Sequence, residues 1–156
     1  MEITNQAEKA PILRDLPSRL LGQTAVLVGR VAGEALSAAG AHRHHFAVLA
    51  TLDAFGAASQ ADLCRRTDID RSDMNAVLNT LEAEGAVDRA VDPDNRRRNI
   101  VTLTAAGHAR FADLRRRVDE AQRRALAPLS RHERDELMRL LHRLHDHLAP
   151  EPSRPR

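Results

Sequence analysis

Seven residues, Asp92-Pro93-Asp94-Asn95-Arg96-Arg97-Arg98, bring three guanidiniums to one turn between two short β-prone runs. Val87-Asp88-Arg89-Ala90-Val91 precedes the turn and Asn99-Ile100-Val101-Thr102-Leu103 follows it. Both runs have partial apolar alternation, and the Asp-Pro and Asp-Asn pairs supply turn chemistry, so the spacing predicts a hairpin with a cationic tip. Arginine is planar, always charged and weakly hydrated, which suits such a tip to phosphates or to a narrow groove of negative potential. Standing alone, an arginine run is more often a solvated loop. The residues upstream give this one a use.

Upstream lies a two-helix signal. Ser59-Gln60-Ala61-Asp62-Leu63-Cys64-Arg65-Arg66 opens with a good N-cap, with Asp62 a short-armed version of the usual Glu partner at the third helical position. After the break Thr67-Asp68-Ile69, Asp70 caps a second helix that runs from Arg71 to about Glu84, where Gly85 stops it. Met74, Val77, Leu78 and Leu81 recur at i, i+3, i+4, i+7 and pack inward, which turns Arg71, Ser72, Asn75 and Asn79 outward. Arginine and asparagine pair bidentately with guanine and adenine edges, and the start of a second helix is what a helix-turn-helix lays in the major groove.

These residues resemble a family. Ala61 to Leu81, Glu84-Gly85, Asp92-Pro93, Arg97 and Leu103-Thr104-Ala105-Ala106-Gly107 are similar to the winged helix-turn-helix of MarR-type (multiple antibiotic resistance regulator) transcription factors. Phe46-Ala47-Val48-Leu49-Ala50-Thr51-Leu52 matches the helix before the DNA-binding pair, and the resemblance covers about residues 12 to 148, with 59 to 107 its specific part. It implies a mainly α fold with a small β-wing, in which long terminal helices, 11–39 and 108–148, dimerise around a winged helix-turn-helix lobe at 41–107. It also implies a homodimer on palindromic operator DNA, most often a repressor, without a resident cofactor. In the wing, the family arginine six residues before Leu103 is Arg97, which implies minor-groove insertion by Arg97 and phosphate contacts by Arg96 and Arg98. Counting back from Leu103-Thr104, Asn95 stands where the family has the Asp that braces the wing arginine, so Asp94 is expected to take over the brace.

Composition agrees. The chain has no Trp, no Tyr and three Phe among 156 residues, so its core is aliphatic. Formal net charge is only +2, yet Lys9 is the sole lysine and the remaining cations are arginines, whose distribution counts for more than their sum. A GC-rich genome explains the arginine bias equally well. Met1 to Gln6 has neither a basic start nor an apolar core, and no apolar run approaches the ~18 residues of a membrane span, so a cytoplasmic protein without a membrane partner is expected. One cysteine excludes an intrachain disulfide. Residues 1–10 and 149–156 are polar or proline-rich and read as loose ends.

Between those ends a first helix is expected from about Pro11 to Ala38, bent or broken at Pro17. Its Leu13, Leu16, Leu20, Leu21, Leu27, Val28, Val31 and Leu36 exceed what one narrow stripe needs. A second long helix from Thr104 to about Leu126 breaks near Pro128, and Ser130 with Glu133 caps a last one bearing Leu137, Leu140, Leu141, Leu144 and Leu148. So many leucines imply burial against a second copy, the alternative being an intrachain bundle.

Three histidines in four positions, His42, His44 and His45, open two further readings beside that of plain polar residues at a helix entrance. With Glu34 and His108, His42 could contribute to a zinc site, which would make the protein a metal-responsive regulator of the same fold. With Arg43, His42, His44 and His45 could instead hold a small anionic effector. Cys64 reads as a structural thiol packing against the second helix, not as an oxidation sensor. His142, His145 and His147 read as a solvated face or a dimer contact. No catalytic signature is present: there is no HExxH, no Gly-rich phosphate loop and no nucleophile elbow. The remaining rival is an interaction module that has lost DNA binding and uses the wing on a protein partner.

Overall fold

The structure is a computed structural model and describes residues 10–149. Of the expected loose ends at 1–10 and 149–156, all but Ala10 and Ala149 lie outside the described residues. Proline sets the first boundaries. Pro11 and Pro17 each sit at a helix start, where a missing N–H costs nothing, and they divide the expected first helix into α1 (Pro11–Arg14) and α2 (Pro17–Ser37). Helix α3 (Arg43–Phe55) carries the buried residues Val48, Leu49 and Leu52.

The helix-turn-helix follows as α4 (Gln60–Thr67) and α5 (Arg71–Ala83). The Ser59 side chain accepts the Asp62 N–H at 3.1 Å and its hydroxyl donates to Asp62 Oδ2 at 2.7 Å, so the short carboxylate closes on the capping hydroxyl itself. Asp68 turns the chain between the helices with a left-handed φ of 55°, a conformation aspartate tolerates better than most residues. The Asp70 carboxylate then accepts the Asp73 N–H at 2.9 Å, and α5 ends before Gly85, whose φ is 71°. Met74, Val77, Leu78 and Leu81 are all buried and join Leu63, Leu49, Leu52, Val87, Val101 and Leu114 in one aliphatic core.

The wing is β2 (Val87–Asp92) and β3 (Asn95–Leu103), antiparallel, with Pro93-Asp94 as its loop. This corrects the expected hairpin: Arg96, Arg97 and Arg98 lie within β3, not on the turn. Val91 pairs with Asn99 but Asp92 pairs with Asn95, so one step on β2 faces four on β3 and the three arginines are the extra residues of a bulge. A two-residue strand, β1 (Ala58–Ser59), pairs with β3 and gives the sheet order β1-β3-β2. It has no counterpart in the sequence reading.

Helix α6 (Ala105–Ala125) starts one residue after β3. That residue, Thr104, donates its hydroxyl to Gly85 O at 2.6 Å and accepts the Gly107 N–H at 3.0 Å, while its own N–H goes to Ala86 O at 3.1 Å. At Gly107 an added Cβ would lie 2.0 Å from Ala86 O, so the helix start and the entry to β2 touch backbone to backbone.

By backbone packing the chain divides into two units, one ending at Gln122 and the other starting at Arg123. In the second, α7 (Arg131–Leu148) begins with the anticipated capping box: Ser130 accepts the Glu133 N–H, and Glu133 Oε2 accepts the Ser130 N–H at 2.7 Å. Arg134 Nε donates to Leu126 O and Leu129 O, which closes the Pro128 turn. No residue of α7 is buried, and Met138, Leu140, Leu141, Leu144 and Leu148 are exposed. In the first unit Leu13, Leu16, Leu20, Leu21, Val26 and Leu27 are exposed as well, whereas Leu36 joins the core. No helix of the described residues is long and apolar enough to cross a membrane.

Candidate nucleic-acid interface

An open groove of about 810 Å³ runs between α4, the start of α5 and β3, and Arg65, Arg71, Arg97 and Arg98 line it together with Gln60 and Asn75. Four guanidiniums in one groove make a strongly positive surface beside the outward face of α5. The structure thus brings the first turn of α5 and two of the three wing arginines, Arg97 and Arg98, to one place; Arg96 is exposed but does not line the groove. Cys64 also borders it and is half-buried, short of the fully packed thiol expected.

The four residues expected on the recognition face, Arg71, Ser72, Asn75 and Asn79, are all exposed. They are not equally available. Among the described residues the Arg71 side chain has no partner, but Asn75 Oδ1 accepts from Gln60 Nε2 at 3.0 Å and Asn79 Oδ1 accepts from Arg89 Nη2 at 2.7 Å. Arg89 is itself held by Glu82, Nε to Oε2 at 2.9 Å, and that hydrogen bond holds the Glu82 carboxyl below its usual range. Sequence reasoning missed Gln60 and Arg89. For Arg89 a signal exists: it shares a strand face with buried Val87 two residues earlier, where a cation calls for a partner.

In the wing the brace differs from expectation. Arg98, not Arg97, is the arginine held, and Asp92, not Asp94, holds it: Arg98 Nε lies 3.4 Å from Asp92 Oδ2. Arg98 Nη2 also approaches Asp62 Oδ2 on α4, at 3.9 Å. Asp94 is placed by its N–H, which donates to Asp92 Oδ1 at 2.9 Å, and Asn95 Oδ1 accepts the Arg97 N–H at 3.1 Å. The Arg96 and Arg97 side chains have no partner among the described residues, so both are available to an anion. Asp62 ties the groove together. The Ser59 hydroxyl first, then Arg65, holds its carboxyl below the usual range.

The zinc set does not assemble. His108 Nδ1 lies 3.0 Å from Asp53 Oδ1 instead, Glu34 has no side-chain partner among the described residues, and no group of three or more potential ligands is placed to hold a metal among them. The histidines at 42, 44 and 45 have a local role. His42 is the N-cap of α3: its Nδ1 accepts the His44 N–H and its own N–H donates to His45 Nδ1, both at 3.2 Å. His45 is therefore no surface residue; it is buried, its Nε2 has no partner, and burial, followed by the charges of His42 and Arg110, pushes its pKa down to about 4. Arg43 is exposed at the first position of α3. His142, His145 and His147 are exposed, with His145 3.6 Å from Asp146.

Comparison with known proteins agrees with this geometry. The MarR family model matches residues 39–98, the span from the turn before α3 to the wing arginines. The uncharacterized HTH-type transcriptional regulator YdgJ of Bacillus subtilis (strain 168) is 30% identical over 90 residues, 58% of this chain and 55% of YdgJ. The HTH-type transcriptional repressor NicR of Pseudomonas putida is 36% identical over 64 residues, 41% of this chain and 40% of NicR. The chain thus spans about half the length, or less, of these curated relatives. A crystal structure of a probable transcriptional regulator from Pseudomonas aeruginosa superposes with a TM-score of 0.74 at 32% identity, covering 85% of this chain and 98% of that one. With a family match over the helix-turn-helix and wing and a fold shared along nearly the whole of a relative, this chain belongs to the MarR family.

Proposed function

We propose that the protein is a sequence-specific, DNA-binding transcriptional regulator that works in the cytoplasm as a homodimer on palindromic operator DNA and represses the genes it controls. The observation that carries the reading is the groove in which unpaired Arg71 and Arg97 flank the outward face of α5. A recognition helix in the major groove with a wing at the adjoining minor groove needs cations at those two places. The exposed leucines of α2 and α7 support a second copy as the partner of residues 11–39 and 108–148, and two copies set half-sites ~34 Å apart, one duplex turn. NicR, a repressor by name, supports the sign of regulation.

Release by a small effector belongs to the same proposal, with Arg43, His42, His44 and His45 as its site; the unpartnered Nε2 of His45 favours a ligand with an acceptor there. The zinc-responsive alternative has lost its ligand set.

The test is a salt titration of binding to genomic duplex fragments. DNA binding through several phosphates loses affinity steeply, with log K falling by about 0.9 per neutralised phosphate for each unit of log salt. A flat profile, or no duplex bound at low salt, would leave the protein-interaction module as the surviving reading.

A further inference from the structure

The two asparagines of the recognition face are held by partners of different chemistry, and the difference decides what each can read. Gln60 and Asn75 form an amide pair, and each amide carries both a donor and an acceptor end. The pair can turn over together and exchange roles without losing its hydrogen bond, so Asn75 can offer a base either end. Asn79 has no such freedom. Its partner Arg89 is a guanidinium, which only donates, so the end of Asn79 that faces Arg89 must be Oδ1. Arg89 cannot swing away cheaply either: its side chain is only 19% exposed and is bound through both Nε and Nη2 to Glu82, one helical turn beyond Asn79 on the same face of α5.

The unengaged end of Asn79 is therefore its NH2 group. The paired contact to adenine needs an acceptor for N6–H and a donor for N7 from one amide, and Arg89 takes one of the two lone pairs of Asn79 Oδ1 and turns that oxygen towards itself. Guanine presents two adjacent acceptors, N7 and O6, to an incoming NH2, whereas adenine presents only N7, beside its own N6 donor. We propose that Arg89 is a specificity-determining residue of this regulator that acts without touching DNA: anchored on Glu82, it fixes Asn79 as a donor and restricts the base it faces to guanine rather than adenine. This rests on the DNA-binding function proposed above and names the class of site that function uses. Arg89 is a positioning residue, and Asn79 makes the contact.

Selection from random duplexes, followed by affinities for all four base pairs at each half-site position, tests it. The position whose preference flattens in Asn79→Ala is the one Asn79 reads. There the wild-type protein is expected to favour guanine about tenfold over adenine. Arg89→Met frees Oδ1 and should move the preference at that single position towards adenine, leaving other positions as they were. A mere structural brace would instead weaken all sequences alike. Asn79→Asp changes an exposed side chain that keeps Arg89 as partner, so it serves if Arg89→Met does not fold; its two acceptors should shift the position to cytosine. Adenine selected by the wild type, or a uniform loss in Arg89→Met without a change of base, overturns the inference and leaves the regulator standing. Enrichment of no duplex at all by the wild type brings down both.

Discussion

Asp92 and Arg98 stand six residues apart in sequence and face each other across the wing, carboxylate Oδ2 to guanidinium Nε at 3.4 Å. Asp92 pairs in register with Asn95, so the contact spans the three-residue bulge and holds its far end. The bulge then projects Arg96 and Arg97 with their side chains unpaired, and the wing arginines are unequal before any DNA arrives.

That inequality gives the first prediction. Arg97→Ala should cost more on operators with narrow, A·T-rich flanks, because a minor-groove arginine reads groove width. Arg96→Ala should weaken all sequences alike and reduce the salt slope by roughly 1. Asp92→Ala, which removes no cation, should lower affinity while leaving the slope at or above its wild-type value. Equal and uniform losses for all three would reduce the wing to a nonspecific clamp.

On α5, the outward Arg71 guanidinium has no partner among the described residues. Arg71→Ala and Asn75→Ala should each relax preference at particular base pairs, by about 1–3 kcal/mol for a good bidentate contact. Competition binding with operator variants measures this, and unchanged discrimination in both would remove α5 as the reading head.

For assembly, Leu140→Asp combined with Leu144→Asp places two charges on an exposed apolar face of α7. Sedimentation at micromolar concentration should find a dimer for the wild type and a monomer for the double variant, with palindrome binding falling to that of a half-site. A wild-type monomer that binds a palindrome tightly contradicts the homodimer.

Acid should weaken the fold through His45. Its pKa is about 4 in the folded protein against 6.5 in an unfolded chain, so between those values the unfolded state binds the extra proton and stability rises with pH. The contribution is intact above pH 6.5, is lost as pH falls towards 4, and levels off below. Protonation at Nδ1 also removes the acceptor for the His42 N–H. Urea midpoints at pH 7 and pH 4.5 should differ less for His45→Asn, which keeps an acceptor and does not titrate; an equal difference would assign the acid sensitivity elsewhere.

At Gly107 the expected cost is structural. Gly107→Ala sets a methyl 2.0 Å from Ala86 O, a backbone atom that cannot step aside, and should destabilise the protein by about 3 kcal/mol. Thermal melts check it, and a change within experimental scatter would mean that the junction is looser than it looks.

Much of this was legible in the chain. The α5 stripe, the caps at Ser59, Asp70 and Ser130 and the breaks at Pro17 and Pro128 are local features, set by residues within four positions of one another. The two-residue β1 is not legible, because Ser59 ends it and caps α4 at once, and its pairing partners, Ile100 and Val101, lie some forty residues on. The bulge escaped for a related reason: Asp-Pro and Asp-Asn both signal a turn, and only cross-strand register decides which pair makes it. Asn79 read as free since its partner, Arg89, lies ten residues on and meets it only once β2 has folded back. The zinc reading counted ligand types without distances, and the distances paired His108 with Asp53.

The single residue Thr104 joins β3 to α6, and its hydroxyl, its N–H and the bare Cα of Gly107 leave that joint no slack. A joint without slack makes strand and helix one crank. Because the arginines bulge out of register, the wing is only as long as six-residue β2, roughly 17 Å from Leu103 to the Asp92–Asn95 pair at the usual rise, so a tilt of about 10° at the base of α6 would sweep the arginine bulge through ~3 Å. That is about a quarter of the width of a major groove and about half that of a minor one. Small torques on α6 are thus geared up at the wing, and the gearing is in the absence of one methyl group.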